Sequence, residues 1–199
     1  NGIKTITQKI VQTGCEGLSE DILCHRQLMG IELLPVDYSG LTCPYVFPVP
    51  CSPHLAAKLA GQAIDCAVLR QSTAELAKQY DVIFLEGVGG LAVPLAEDYT
   101  FLDYLEEEKY PLILVSCARL GSINHTLSAI ELAHHRNIEI AAIIYNRFLD
   151  TDQRIVEDSW RIFASYLKKY GFSNRIIDLQ PISQYEQNGK PADLYTCFL

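Results

Sequence analysis

The residues best suited to chemistry lie in one ten-residue stretch, DVIFLEGVGG at positions 81–90. Its acid, Glu86, follows the apolar run Val82, Ile83, Phe84 and Leu85, and is followed in turn by Gly87, Gly89 and Gly90. A run with no alternating polar face predicts a strand covered by helices on both sides of a parallel sheet. A carboxylate at the carboxyl end of such a strand lies on the edge where open α/β sheets bind ligands. Mg2+ takes one or two carboxylates together with phosphate oxygens and water, so an acid beside glycine-freed backbone suits a Mg2+-phosphate site. Taken alone, the stretch fits a glycine turn after a core strand equally well.

The elements that must position such a site follow from pattern. Residues 4–11 read as a strand carrying Lys9, broken by Gly14 and Gly17. Ser19 is suited to cap a helix running through Asp21, Leu23 and Leu28 to Gly30. Prolines 35, 44, 48, 50 and 53 exclude a long helix from residues 31–53, leaving an excursion with short extended pieces. Helices are expected over 55–60 and 64–80, the second burying Ala67, Val68, Leu76 and Ala77. After the glycine loop, 100–108 reads as a helix with an acidic exposed face, and 112–116 as a buried strand. A helix over 123–136 and a strand over 138–145 come next, the strand ending at Asn146 and Arg147. Asp150 or Thr151 would cap an amphipathic helix through Ile155, Ile162, Phe163 and Leu167 to Lys169, stopped by Gly171. A short strand over 176–179 precedes Pro181. Alternation of strands with helices of this length means an α/β fold with a mostly parallel sheet.

Composition sets limits on partners. The chain has 199 residues, 49% of them hydrophobic, which suits one well-buried domain. A net charge of -8, with scattered Lys and Arg, argues against binding nucleic acid. No apolar run reaches the roughly 18 residues that span a bilayer, and the amino terminus lacks a signal-peptide pattern, so a soluble cytoplasmic protein with no membrane partner is expected. Seven cysteines, an odd number without a CxxC pair, point to a reducing compartment and small core residues rather than a disulfide framework or zinc site.

Several segments together resemble the dethiobiotin synthetase family of P-loop enzymes. They are QKIVQTG at residues 8–14, SPH at 52–54, EGVGG with Pro94 at 86–94, RLGSINHT at 119–126 and YNR at 145–147. Related P-loop enzymes share EGxGG, and the LGSINHT run makes the match specific. The resemblance implies a three-layer P-loop NTPase-like fold, with the loops after the strands gathered along one sheet edge. It also implies an ATP- and Mg2+-dependent ligase that closes a ureido ring on diaminopelargonate with carbon dioxide, working as a homodimer.

One family feature is out of view: no GxxxxGK[ST] phosphate-binding loop occurs in these residues. The expectation is that about 25 to 30 residues, a strand, loop and helix, precede Asn1. An intact mass of 22.3 kDa, that of these residues alone, would contradict it. Ile10 stands where the family usually has proline, a departure expected to alter strand geometry rather than chemistry.

By resemblance, Lys9 serves the carbamate and the γ-phosphate, and a compact ammonium suits the anionic intermediates of phosphoryl transfer. Thr13 would hydrogen-bond the substrate, and Asp21 and Glu86 would ligate Mg2+. Gly87, Gly89 and Gly90 would lie along the nucleotide phosphates. Leu120, Gly121, Ser122 and Asn124 open a helix whose free amides would receive the substrate carboxylate across a dimer interface. Asn146 would read adenine through its amide, with Pro181 lining the base pocket. Read without the family, Lys9 is a strand-end lysine, Thr13 a turn threonine, Asp21 an acid favoured by the helix dipole and Asn146 a turn asparagine. His54, His125, His134 and His135 need no catalytic role.

The alternatives are an amide-forming ligase of the cobyrinate amidase type, which would need a glutaminase domain, and a regulatory ATPase of the MinD type. The tail GKPADLYTCFL, with Lys190 against Asp193, lacks the latter's basic amphipathic helix.

Overall fold

The structure is a computed structural model that describes residues 2–148 and 152–188. It falls into two compact units, Asn1–Tyr104 and Leu105–Leu199. Asp150, Thr151 and the tail from Gly189 lie outside the described residues.

In the first unit the expected strand over 4–11 is two strands. β1 (Thr5–Lys9) and β2 (Val11–Thr13) are separated by a bend at the fully buried Ile10. β1 pairs in parallel with β4 (Val82–Glu86), Thr5 opposite Val82 and Lys9 opposite Glu86. β2 pairs in parallel with a different strand, β3 (Tyr45–Phe47). The change of partner is recorded in the backbone: Lys9 N–H donates to Thr42 O at 2.8 Å, while Ile10 N–H donates to Glu86 O at 3.2 Å.

α1 (Glu20–Met29) starts where expected, with Ser19 Oγ accepting from Ile22 N–H at 3.3 Å, and ends on Gly30 in the left-handed conformation. The proline-rich segment contains β3 and one helical turn, α2 (Pro35–Tyr38), with proline at its first position where the missing N–H costs nothing. α3 (Pro53–Leu59) and α4 (Cys66–Ala77) follow. α4 buries Leu69, Ser72 and Leu76, whereas Ala67, Val68 and Ala77 are exposed. The expected stripe was therefore rotated, because small polar Ser72 sits in the middle of the true one. Ile6 from β1, Val36 from α2 and Leu76 from α4 form one core cluster, with Ile83 of β4 packed against it.

β4 departs from expectation in burial. Val82 to Leu85 are half-buried rather than covered on both faces, and among the described residues β4 pairs with β1 alone. The glycine loop leads into a hairpin absent from the pattern reading, β5 (Pro94–Ala96) antiparallel to β6 (Tyr99–Thr100). These strands of three and two residues are too short for periodicity to register. α5 is Phe101–Glu108, and its first turn is closed by Asp103 Oδ2 accepting from Thr100 N–H at 2.7 Å.

The second unit is a parallel three-stranded sheet in the order β7 (Leu112–Cys117), β8 (Ile140–Asn146), β9 (Ile176–Leu179). α6 (Ser122–His135) links the first two strands and α7 (Gln153–Lys169) the last two. α7 is capped by Asp152, whose Oδ1 accepts from Arg154 N–H at 2.9 Å. Its buried residues are Val156, Ser159, Phe163 and Leu167, so the expected stripe is shifted and Ile155 is exposed. Here too a buried serine hides the stripe. Ile130, Ala142, Ile143, Tyr145 and Phe163 fill the core. A short helix, α8 (Ile182–Asn188), follows Pro181 and was not expected. Among the described residues no helix is long and apolar enough to cross a membrane.

Candidate functional site

In the first unit Lys9 is held by what its own strand pairing dictates. Parallel register puts it opposite Glu86, so both side chains leave the carboxyl ends of neighbouring strands. Lys9 Nζ donates to Glu86 Oε1 at 2.9 Å and to the Gly87 carbonyl at 2.9 Å, and lies 2.8 Å from Asp21 Oδ2 on the first turn of α1. The lysine is 6% exposed, while the two carboxylates are partly open to solvent. Burial works against the ammonium, but hydrogen bonds and charge from Asp21 and Glu86 outweigh it, so the pKa of Lys9 is raised above the ordinary lysine value.

Four residues that pattern reading missed complete the arrangement. His25, one turn beyond Asp21, places Nε2 3.1 Å from Glu86 Oε2, so each Glu86 oxygen has its own partner. Gln12 Oε1 accepts from Ser19 Oγ at 2.7 Å and from Asp21 N–H at 3.3 Å, tying the start of α1 to β2. Arg26 and Asp37 form a buried bidentate pair, Nε to Oδ2 at 3.0 Å and Nη2 to Oδ1 at 2.7 Å. Burial opposes the Asp37 charge, yet its bonds from Arg26, Leu34 N–H and Thr42 hold its carboxyl below the usual carboxylate range. Only the i, i+4 spacing of Asp21 and His25 could have signalled any of these.

Gly87 is at this position for space. A Cβ there would fall 2.8 and 2.9 Å from ring carbons of buried Phe101, so a side chain would force either that ring or the backbone beside Lys9 to shift. Gly14 has φ +77°, and a Cβ there would fall 2.9 Å from Pro50 Cβ, so the turn beside half-buried Thr13 requires glycine. Gly89 and Gly90 are exposed. Cys43 donates its thiol to Tyr45 O at 3.4 Å, and burial pushes that thiol up to about 11.

In the second unit Gly121, with φ +91°, caps α6. Leu120 and Asn124 are exposed, but Ser122 is buried and its N–H donates to Arg119 O at 3.0 Å, so that amide is already engaged. Ser116 and Thr126 share a buried hydrogen bond of 2.7 Å that pins α6 to the end of β7. Asn146 ends β8, and its Oδ1 accepts from Phe148 N–H at 2.9 Å. Pro181 follows β9, its carbonyl accepting from Gln184 N–H at 2.9 Å in the first turn of α8.

Asp21 and Glu86 aim hard oxygen donors at one point, now filled by an ammonium. Two part-exposed carboxylates converging on a cation fit the sparse protein ligation that Mg2+ accepts. Among the described residues no group of three or more His, Cys, Asp or Glu could hold a metal, so water and phosphate would supply the remaining ligands.

A family model described as an AAA domain matches residues 9–185, which with the parallel α/β units defines the class as an AAA-type P-loop domain. The chain is 53% identical over 194 residues to the ATP-dependent dethiobiotin synthetase BioD of Chlorobaculum tepidum, covering 97% of this chain and 80% of that one. It is 48% identical to BioD 2 of Pasteurella multocida, over 85% of this chain and 79% of the relative. BioD 2 of Haemophilus influenzae is also 48% identical, over 78% and 82%. The chain belongs to the dethiobiotin synthetase family.

Proposed function

We propose that this protein, as an ATP-dependent dethiobiotin synthetase of biotin biosynthesis, uses Lys9 to stabilise the anions formed as diaminopelargonate is carboxylated and closed. The observation that carries this reading is the buried Lys9 ammonium, held at a strand end by Asp21, Glu86 and the Gly87 carbonyl. One substrate amine attacks carbon dioxide and loses a proton, giving a carbamate. A carbamate oxygen takes the γ-phosphoryl group of ATP, and ADP leaves. The second amine then attacks the activated carbon and phosphate departs, closing the ureido ring. Each stage develops negative charge on oxygen, and Lys9 presents a fixed positive charge to it. No covalent intermediate on the protein is needed; positioning and charge suffice.

Asp21 and Glu86 would hold Mg2+, which supplies charge neutralisation for the ATP phosphates. Thr13, beside the Gly14 turn, would hydrogen-bond the substrate. Gly87, Gly89 and Gly90 would follow the phosphates. In the second unit, Leu120, Gly121 and Asn124 would receive the substrate carboxylate, Ser122 being buried with its amide engaged, and Asn146 and Pro181 would serve adenine. The exposure of Leu120 supports the reading that this loop works against a second copy, as a homodimer would require. The reaction belongs in the cytoplasm.

The test is phosphate release dependent on ATP, bicarbonate and diaminopelargonate together. Release that proceeds without the diamine would instead favour a regulatory ATPase.

A further inference from the structure

We infer that Arg26 and Asp37 are positioning residues for Lys9. The inference rests on the reading of Lys9 given above. A buried ion pair is poor evidence for stability, because hydrophobic residues of the same volume often serve as well. What it supplies is direction: a bidentate guanidinium fixes both the angle and the distance of what it joins.

Both ends of this pair lead to Lys9. From Arg26, Nη1 donates to Thr7 Oγ1 at 2.9 Å and Nη2 to Thr7 O at 3.4 Å, gripping β1 two residues before the lysine. From Asp37, Oδ1 accepts the Thr42 hydroxyl at 2.7 Å, and the carbonyl of Thr42 accepts the Lys9 N–H at 2.8 Å. Asp37 Oδ2 also accepts Leu34 N–H at 2.8 Å, holding the segment that carries Thr42. Arg26 belongs to α1, which carries Asp21 and His25, so one guanidinium sets the helix bearing the acid against the strand bearing the base. Asp21 Oδ2 lies 2.8 Å from Nζ, so a displacement of α1 by an ångström breaks the contact.

Two variants test this. Arg26→Lys keeps the charge but cannot span Asp37 and Thr7 with one ammonium. Arg26→Met/Asp37→Asn removes both charges, while the asparagine oxygen can still accept from Leu34 N–H and its NH2 can donate to the Thr42 hydroxyl oxygen. Each is expected to melt cooperatively with an unchanged far-ultraviolet spectrum, to lose about 10- to 100-fold in kcat, and to keep KM for ATP within about 2-fold. The deciding measurement is single-turnover product formation in a Lys9→Met background, where adding Arg26→Lys should cost less than about 2-fold, since the pair acts through a lysine already removed. Equal losses in the two backgrounds would make the pair merely structural and overturn the inference alone, as would wild-type kcat in a folded Arg26→Lys. Loss of cooperative melting in both variants would assign the pair to stability and overturn it too. Wild-type kcat in Lys9→Met would instead overturn the reading of the site, and this inference with it.

Discussion

Lys9 brings a positive charge into a place where burial disfavours it, and keeps that charge because two carboxylates and a carbonyl face it. Its pKa is raised, so its contribution to stability is present below the unfolded value of about 10.4 and is lost only as pH rises through the folded value. At neutral pH the ammonium is therefore constant. Glu86→Ala should lower kcat by at least about 10²-fold while the thermal midpoint stays close to wild type, since the side chain is half exposed; wild-type turnover at limiting Mg2+ would remove Glu86 from the site. Gly87→Ala is expected to destabilise by about 1–3 kcal/mol through overpacking against Phe101, read from urea unfolding, and to lose activity as the carbonyl moves off Lys9. Glu86 and the glycines could be singled out from sequence because strand ends and glycine spacing advertise themselves locally, whereas Lys9 was singled out by resemblance. Arg26 and Asp37 could not: their partners are set by packing between segments, and nothing in a helical arginine records what faces it.

At the scale of elements, α1 matters most to the site, and its start is fixed twice, by the Ser19 cap and by Gln12. Ser19→Ala should cost about 1 kcal/mol, measured by chemical denaturation, with an added loss in kcat as Asp21 drifts. The buried pair gives α1 an acid limit. Because the Asp37 pKa is depressed, its stabilisation is complete above the unfolded carboxylate value of about 3.9 and disappears as pH falls below it. Urea unfolding between pH 3 and 7 should show that decline in the wild type. Asp37→Asn should lose about 3–5 kcal/mol at pH 7 and show a shallower acid limb. Element types and order followed from apolar periodicity, and the first-turn position of Asp21 from its cap. Register did not: the core stripes of α4 and α7 run through Ser72 and Ser159, which read as surface residues. The strand carrying Lys9 looked continuous because no sequence signal marks a strand that changes partners at Ile10.

For the whole molecule, a net charge of -8 coexists with a fully exposed Leu120 at the start of α6. In the proposed homodimer the second copy would cover this leucine. Light scattering should give twice the monomer mass at micromolar concentration, and Leu120→Asp should shift it to one copy with a raised KM for diaminopelargonate. Cys43 offers a second global reading. With its thiol pushed up to about 11 by burial, it should resist alkylation at pH 8 in the native protein while exposed Cys24 reacts, and label only on unfolding.

The bend at Ile10 also sets an order in time. Arg26 and Asp37 are 11 residues apart, so their contact closes a short loop, whereas Lys9 and Glu86 meet only after 77 residues of chain have been gathered. Loop closure grows costlier with separation, and distant strand pairing is slow. The segment through Asp37 and Thr42 can thus organise while a nascent chain is still short, but the lysine meets Glu86 only after β4 has been synthesised. Enzymatic competence is then a late signal of correct folding, and protection of the Ile10 amide, which donates to Glu86, should trail that of the Asp37 amide in pulse-labelled refolding.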